Sequence, residues 1–270
     1  MKIRRITLAV LLLITLLFAL DVRYFPKGDP AQREPSIHFS LGGPPRIPLV
    51  QKEVDFVQPQ GAFTSLLIEG HLGTVDLKSV DDDQLRIKAI IWADSDHGLE
   101  LLNVLETISG SEVRYALVGE AEDLVQNAGI SFVAGVPAGM EVTIEQAFGE
   151  VKVEDFVGFL NLETSFSNVQ VDGLQGTMRV ANSFGELDLR GIRGPLRLED
   201  AYGTSRVQLL SMDGGYNFDI EVANGVLLGN APLQMDTARN KVTAFGQSDQ
   251  GVHPIVIRSS YGRVTVNVEE

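Results

Sequence analysis

The sequence contains no cysteine. That excludes disulfides, thiolate metal sites and a thiol nucleophile, and also the lipid-carrying cysteine of a bacterial lipoprotein. Histidine is scarce. His38, His71, His97 and His253 stand far apart, with neither H-x-H nor H-E-x-x-H spacing, so they read as surface or hydrogen-bonded residues and not as a metal set. No G-x-S-x-G, phosphate loop or dinucleotide fingerprint occurs. Positive charge is in short supply: 22 Lys and Arg stand against 36 Asp and Glu, a net charge of −14. That argues against binding nucleic acid or anionic lipid and for a solvated acidic surface.

Long apolar runs are missing, with one exception near the start. Lys2, Arg4 and Arg5 precede an apolar run from Ile6 to Leu20. Fifteen residues of helix span roughly 22 Å, short of a hydrocarbon core of about 30 Å. Val22, Tyr24 and Phe25 can extend the stretch, with Asp21 and Arg23 reaching the interface. A cleaved signal is the competing reading, but Ala19 lacks the small residue two positions before it that such a site wants. Residues 1–25 are therefore expected to form a retained single-pass membrane anchor. In either case the basic residues stay in the cytoplasm and the rest of the chain is extracytoplasmic.

Proline is also rare outside one stretch. Seven of the eleven prolines fall in residues 26–59, which reads as a semi-rigid linker. From residue 60 to 270 the pattern is β. GHLGTVDLKS (Gly70 to Ser79) alternates, and Leu85 and Ile87 come after the Asp81–Asp83 turn, as a degenerate first coil. Leu99, Leu102 and Leu105 have near-helical spacing, with Asp96 as a possible N-cap and Gly110 as a stop, so one short helix is expected over 97–109. EVRYALVGEAE returns to strand, and VPAG (Val136 to Gly139) is a turn that leads into a regular array.

The array is a repeat. Phe148, Phe166, Phe184 and Tyr202 are each 18 residues apart. Three positions later come Val151, Val169 and Leu187, and five later Val153, Val171, Leu189 and Val207. Then come Phe156, Leu174, Ile192 and Leu210; Gly158, Gly176 and Gly194; Leu160, Met178 and Leu196; and Leu162, Val180 and Leu198. Polar residues sit between them. This is period-two alternation inside an 18-residue unit. An antiparallel meander has no need of like residues at a fixed spacing. A β-solenoid does, because position i lies over i+18. The fold expected is all-β: a β-solenoid over 60–270, regular over 141–218, with the aromatic column in its core. Ser205 and Gly214 break the pattern. Tyr261-Gly262 resumes it 59 residues after Tyr202, five more than three coils, which implies an insertion.

With its N-terminal membrane segment, GHLGTVDLKS, VPAG and the recurring x-aromatic-Gly-x-Val-x-Val coils, the chain over residues 60–270 resembles a bacterial adhesin-like family of unknown function. The resemblance implies a membrane-anchored β-solenoid on the outer face of a membrane, and it carries over no catalytic residue.

Carboxylates are the remaining candidates for chemistry: Glu154-Asp155, Asp172, Glu199-Asp200 and Asp81–Asp83. They do not recur in column, since the position of Glu154 becomes Asp172, then Arg190, then Gln208. They read as solvated or turn residues, ahead of weak Ca²⁺ binding or catalysis. GLQG (Gly173 to Gly176) and GIRG (Gly191 to Gly194) share one repeat position and read as turn glycines, not a nucleic-acid clamp. No catalytic, cofactor-binding or metal residue is assigned. The function expected is a non-catalytic, tethered, adhesin-like or envelope-scaffolding module, bound to the membrane by its N-terminal helix and to an envelope protein or glycan. The alternatives are a glycan-acting enzyme using turn carboxylates and an extracytoplasmic sensor paired with a membrane partner.

Overall fold

Alternation and turn residues carry most of this chain into strand. The computed structural model describes residues 50–59, 61–119 and 128–269. There the protein is all-β, with seventeen strands hydrogen-bonded into one sheet and one short helix among the described residues. In chain order these are β1 (Val50–Val57), β2 (Ser65–Val80), β3 (Arg86–Ala93), α1 (Asp96–Glu100), β4 (Asn103–Ser109), β5 (Glu112–Val118) and β6 (Ala128–Pro137). Next come β7 (Glu141–Thr164), β8 (Ser167–Asn182), β9 (Gly185–Arg193), β10 (Leu196–Ala201), β11 (Gly203–Leu210) and β12 (Tyr216–Ala223). The last are β13 (Val226–Gly229), β14 (Leu233–Ala238), β15 (Lys241–Gln247), β16 (His253–Ser260) and β17 (Arg263–Glu269). The anchor segment 1–25, the prolines up to Pro48 and His38 lie outside the described residues. No helix among the described residues is long and apolar enough to cross a membrane. The proline-free stretch between Pro48 and Pro59 folds as β1, inside what reads in sequence as linker.

The 18-residue spacing is a parallel hydrogen-bonding register. Val151 lies beside Val169 and Val169 beside Leu187; Val153 lies beside Val171 and Val171 beside Leu189. On the returning leg, Leu160 lies beside Met178 and Met178 beside Leu196. The three long strands β2, β7 and β8 each supply more than one leg, and both legs turn their apolar residues onto one core. Glycine makes the bend. Gly173, Gly176, Gly191 and Gly194 all have φ between 66° and 143°, as expected of turn glycines. At Gly176 an added Cβ would come within 1.9 Å of the Gly158 carbonyl in the rung alongside, so the close stacking of rungs depends on its absence.

Four expectations are corrected. The helix is only α1, capped by Ser95, whose Oγ accepts from the Gly98 N–H at 3.2 Å, and not by Asp96. The residues after it, rich in Val, Thr and Ile, pair antiparallel with β5, and Gly110 is the hairpin turn. The first coil keeps its first half, with Val75 beside Val151 and Leu77 beside Val153. Its second half does not: Ile87 lies in β3, which runs antiparallel to both β1 and β6. Ser205 does not break the ladder but sits beside Leu187, fully buried, and a bulge after Val207 brings Leu209, not Leu210, opposite Ile192.

The fourth correction concerns the C-terminus. Tyr261 is not three coils above Tyr202 but on the next rung. β17 pairs parallel with β11, Val264 beside Ser205 and Val266 beside Val207. The intervening chain has already gone past this layer: β13 pairs with the far side of β17, and β12 with the far side of β16. β16 also pairs with β10. The last two strands thus close a slot between rungs laid down earlier in the chain. The 59-residue spacing is one excursion, and no insertion separates stacked coils.

Candidate functional site

The repeat places one side chain per rung at the corner between the two legs, and that side chain is aromatic. Phe148, Phe166, Phe184, Tyr202 and Tyr261 stack in order, with centroids 5.4, 4.7, 5.2 and 5.0 Å apart and planes within 12° of parallel. The column is not core. Phe148 is 39% exposed and Tyr261 50%, and the three rings between are half-buried. At three of the five rings the backbone itself contributes. Phe166, Tyr202 and Tyr261 have φ of 51°, 62° and 57°, a left-handed corner that turns the side chain away from the packed interior. The rings cover one another's faces, so what they offer outward is edges. A sugar stacks on a ring face, and the three inner rings have both faces taken by neighbouring rings. At the Phe148 end the His71 ring stands edge-on, 6.3 Å from the phenyl centroid.

Two residues before each ring lies a second column, which is polar and buried: Gln146, Thr164, Asn182, Asp200 and Ser259. It is linked by directed hydrogen bonds. Thr164 Oγ1 donates to Asn182 Oδ1 at 2.9 Å, and Asn182 Nδ2 donates to Asp200 Oδ1 at 2.9 Å. Ser205 Oγ donates to Asp200 Oδ2 at 2.8 Å. Gln146 Nε2 donates to the carbonyls of Phe148 and Gly73 at 2.6 and 3.2 Å. Burial pushes the Asp200 carboxyl above its ordinary range, and the bonds from Ser205, Asn182 and the Ala201 N–H only partly oppose that shift. Thr164, Asn182 and Asp200 thus tie three successive corners together.

A third column, of outward residues, stands beside these. Glu69 of β2 lies beside Glu145 on the first leg of β7, and Glu163, on the last leg of the same strand, lies beside Ala181, followed by Glu199 and Arg258. Burial raises the Glu145 carboxyl, and its neighbours Glu69 and Glu163 add to the shift. Between this row and the rings stand only small residues: Ala147, Ser165, Ser183, Ala201 and Ser260.

The carboxylates that stand out in the sequence are scattered over this framework. Glu154 and Asp155 both lie 3.9 Å from the Lys78 ammonium, Asp172 accepts from Gln170 at 2.6 Å, and Glu199 pairs with Arg197 at 2.6 Å. Asp82 pairs with Arg86 at 2.5 Å. Asp83 borders a shallow cleft of about 350 Å³ with Phe63, Leu85, Pro137 and Met140. Of these carboxylates only Asp200 is buried. Among the described histidines, His71 packs on Phe148 and His253 Nε2 lies 3.1 Å from the Asp213 carbonyl. His97 is in the last turn of α1. No group of three His, Asp or Glu among the described residues is placed to hold a metal ion.

No protein-family model matches the sequence, and no curated protein matches it. Solved structures do resemble it. A "putative cell adhesion protein" from Clostridium sporogenes is 10% identical, with 82% of this chain and 100% of that one covered and a TM-score of 0.46. A "putative adhesin" from Parabacteroides merdae is also 10% identical, covering 82% and 96%, with a TM-score of 0.32. A "putative lipid binding protein" from Parabacteroides distasonis is 8% identical, covering 81% and 97%, with a TM-score of 0.31. At these identities and scores, function has to be read from the chain's own registers and surfaces.

Proposed function

We propose that the chain is a non-catalytic, adhesin-like interaction module: a β-solenoid held outside a bacterial membrane by its N-terminal segment. The observation that carries the reading is the parallel register of 18 residues, kept on both legs through β7, β8, β9 and β10 and into β11 as far as Val207. A stack of this kind repeats every outward position at the strand spacing of about 4.8 Å, so contacts to a partner are made by columns on a rigid wall and not by a closed pocket. The conspicuous outward carboxylates are engaged with Lys78, Arg86 and Arg197, which suits a surface better than a reaction centre. The tether rests on Lys2, Arg4 and Arg5 ahead of the apolar run from Ile6 to Leu20.

The test is topological. Protease added to intact spheroplasts should digest residues 26–270 of the full-length chain, while the unlysed control keeps its cytoplasmic markers. A mature chain beginning near Leu20, released to the medium, would replace the tether with secretion. Protection of the domain from protease would place it in the cytoplasm and remove the reading altogether.

A further inference from the structure

Among the described residues, the stack of rungs has two open edges at each end. At one end β1 and β4 pair with only β3 and β5; at the other β13 and β14 pair with only β17 and β15. An edge strand offers a row of unpaired N–H and C=O groups to another chain, unless charges or covering side chains guard it. The β1–β4 end is guarded. Lys52 of β1 crosses to the other leg and donates to the Leu102 carbonyl and to Asn103 Oδ1, at 3.3 and 3.2 Å. Gln58 donates to the Tyr115 hydroxyl at 2.8 Å, and the rings of Phe56 and Tyr115 lie 4.8 Å apart. These contacts join the legs and shut the core.

The β13–β14 end is not shut. The sequence of β14, LQMDTA, holds one charge, Asp236, and its side chains make no hydrogen bond or ion pair. Met235 lies beside Ala244, on the side that faces the core, yet it is 54% exposed while Ala244 is fully buried. The cause is the layer count. β12 has β13 as its counterpart on the other leg, but β15 and β14 have none. A second copy of β14 fits this edge. Two-fold pairing is antiparallel and satisfies both edges at once. Centred on Asp236, it would set like charges face to face, which is unfavourable. Centred on Met235, it puts each Asp236 beside Gln234 of the other copy and the two methionines side by side on the core-facing side. The proposed tether favours the same end: the linker joins the fold at β1, so the β14 end is the free one.

We infer that β14 is a homophilic docking edge, at which two copies of this chain held in facing membranes join their sheets end to end. The facing-membrane part rests on the tethered, adhesin-like reading; the pairing of the edges does not. One strand pair is a small contact of the weak, transient class, and many copies on two surfaces compensate by avidity.

The absence of cysteine makes the register testable with one introduced thiol. Directly opposed Cα atoms of an antiparallel pair lie about 4.5–5.5 Å apart, inside the disulfide range of about 4.4–6.8 Å. Full-length Met235→Cys in non-ionic detergent is treated with a mild oxidant and run on a non-reducing gel. The control is Ile108→Cys, whose parent residue is 56% exposed on the guarded edge β4. The Met235→Cys dimer should form on the order of tenfold faster, because pairing brings its thiols together beforehand. The second arm uses the full-length chain in phosphatidylcholine vesicles, with clustering read by light scattering. Met235→Lys sets two ammonium groups against each other at the edge and should abolish clustering without moving the melting temperature, since the side chain is exposed. Selective cross-linking without clustering of the parent vesicles keeps the docking edge and removes the adhesive reading. Clustering that Met235→Lys leaves unchanged keeps adhesion and overturns the docking edge. A Met235→Cys dimer that forms no faster than the Ile108→Cys control overturns it as well.

Discussion

At the scale of residues, this chain is organised by parity. Val151 and Val153 point inward on one leg, and Ile144 and Gln146 on the leg before it, so odd and even positions exchange roles at the corner. Phe148 sits at the exchange. Read back from Val151 it shares the outward phase of Glu150; read forward from Ile144 it shares the inward phase. Sequence alone assigns a regular aromatic column to the core because large apolar residues are usually buried. The three-residue step from Phe148 to Val151 is the visible sign that the alternation breaks there. The polar column is legible too, as Gln146, Thr164, Asn182 and Asp200 each stand two places before an aromatic. Its burial is not, because a polar residue beside a turn reads as solvated.

Two predictions belong to this scale. Asp200 has a folded pKa raised above its unfolded value of 3.8. Its contribution to stability is therefore full below pH 3.8 and is lost as pH rises through the folded value. Asp200→Asn removes the titration and can keep both side-chain hydrogen bonds. It should melt higher than the parent at pH 7, on the order of 2–4 °C for each kcal/mol gained in a domain of this size, and the gap should close in acid. A lower melting temperature at pH 7 would mean that the hydrogen bonds to the carboxylate outweigh its desolvation. The second is a neighbouring pair. Leu162→Asp puts an unpaired carboxylate in the core beside Val180 and should cost several kcal/mol. Glu163→Gln, one residue on, relieves the repulsion with Glu145 and should be neutral or slightly stabilising. Denaturant midpoints of the two variants measure the contrast.

At the scale of elements, strand identity is largely written in the sequence, and the stacking order is not. Alternation and turn glycines locate β7, β8, β9 and β10, because those features are local. Nothing local states which rung a strand lies against. Tyr261-Gly262 repeats the corner of Tyr202-Gly203, which marks β17 as a member of the stack without saying that it slots between β11 and β13. The segment 103–109 misleads for a related reason: leucines at 99, 102 and 105 fit a helix, but pairing with β5 satisfies seven residues of backbone at once. Tertiary pairing overrides a weak local period. The slot has a consequence. A chain ending at Val252 lacks β16 and β17, leaving β10 and β11 facing β12 and β13 across an empty layer. It should show no cooperative thermal melt by far-ultraviolet circular dichroism. A cooperative melt near that of the parent would mean that the last two strands do not occupy the interior of the stack.

At the scale of the whole molecule, the 18-residue register turns one short sequence pattern into a wall of columns: apolar within, aromatic and hydrogen-bonded polar at the corner, charged on the outer faces. Each rung touches its neighbours and little else, so stability divides into rungs and interfaces. The most direct test removes one rung. Deleting Ser165 to Asn182 joins Thr164 to Ser183 and restores every register: Val151 meets Leu187, Val153 meets Leu189, Leu162 meets Leu198, and Thr164 comes to lie beside Asp200, able to donate to the carboxylate that Asn182 served. Deleting only Ser165 to Gly173 sets a returning leg against an outgoing one and breaks the corner columns. Thermal melts of the two deletions, side by side, are the measurement. Stacking by 18-residue rungs predicts a soluble protein with a cooperative transition for the 18-residue deletion and none for the nine-residue deletion. If both melt cooperatively, or neither does, the 18-residue unit is not what stacks.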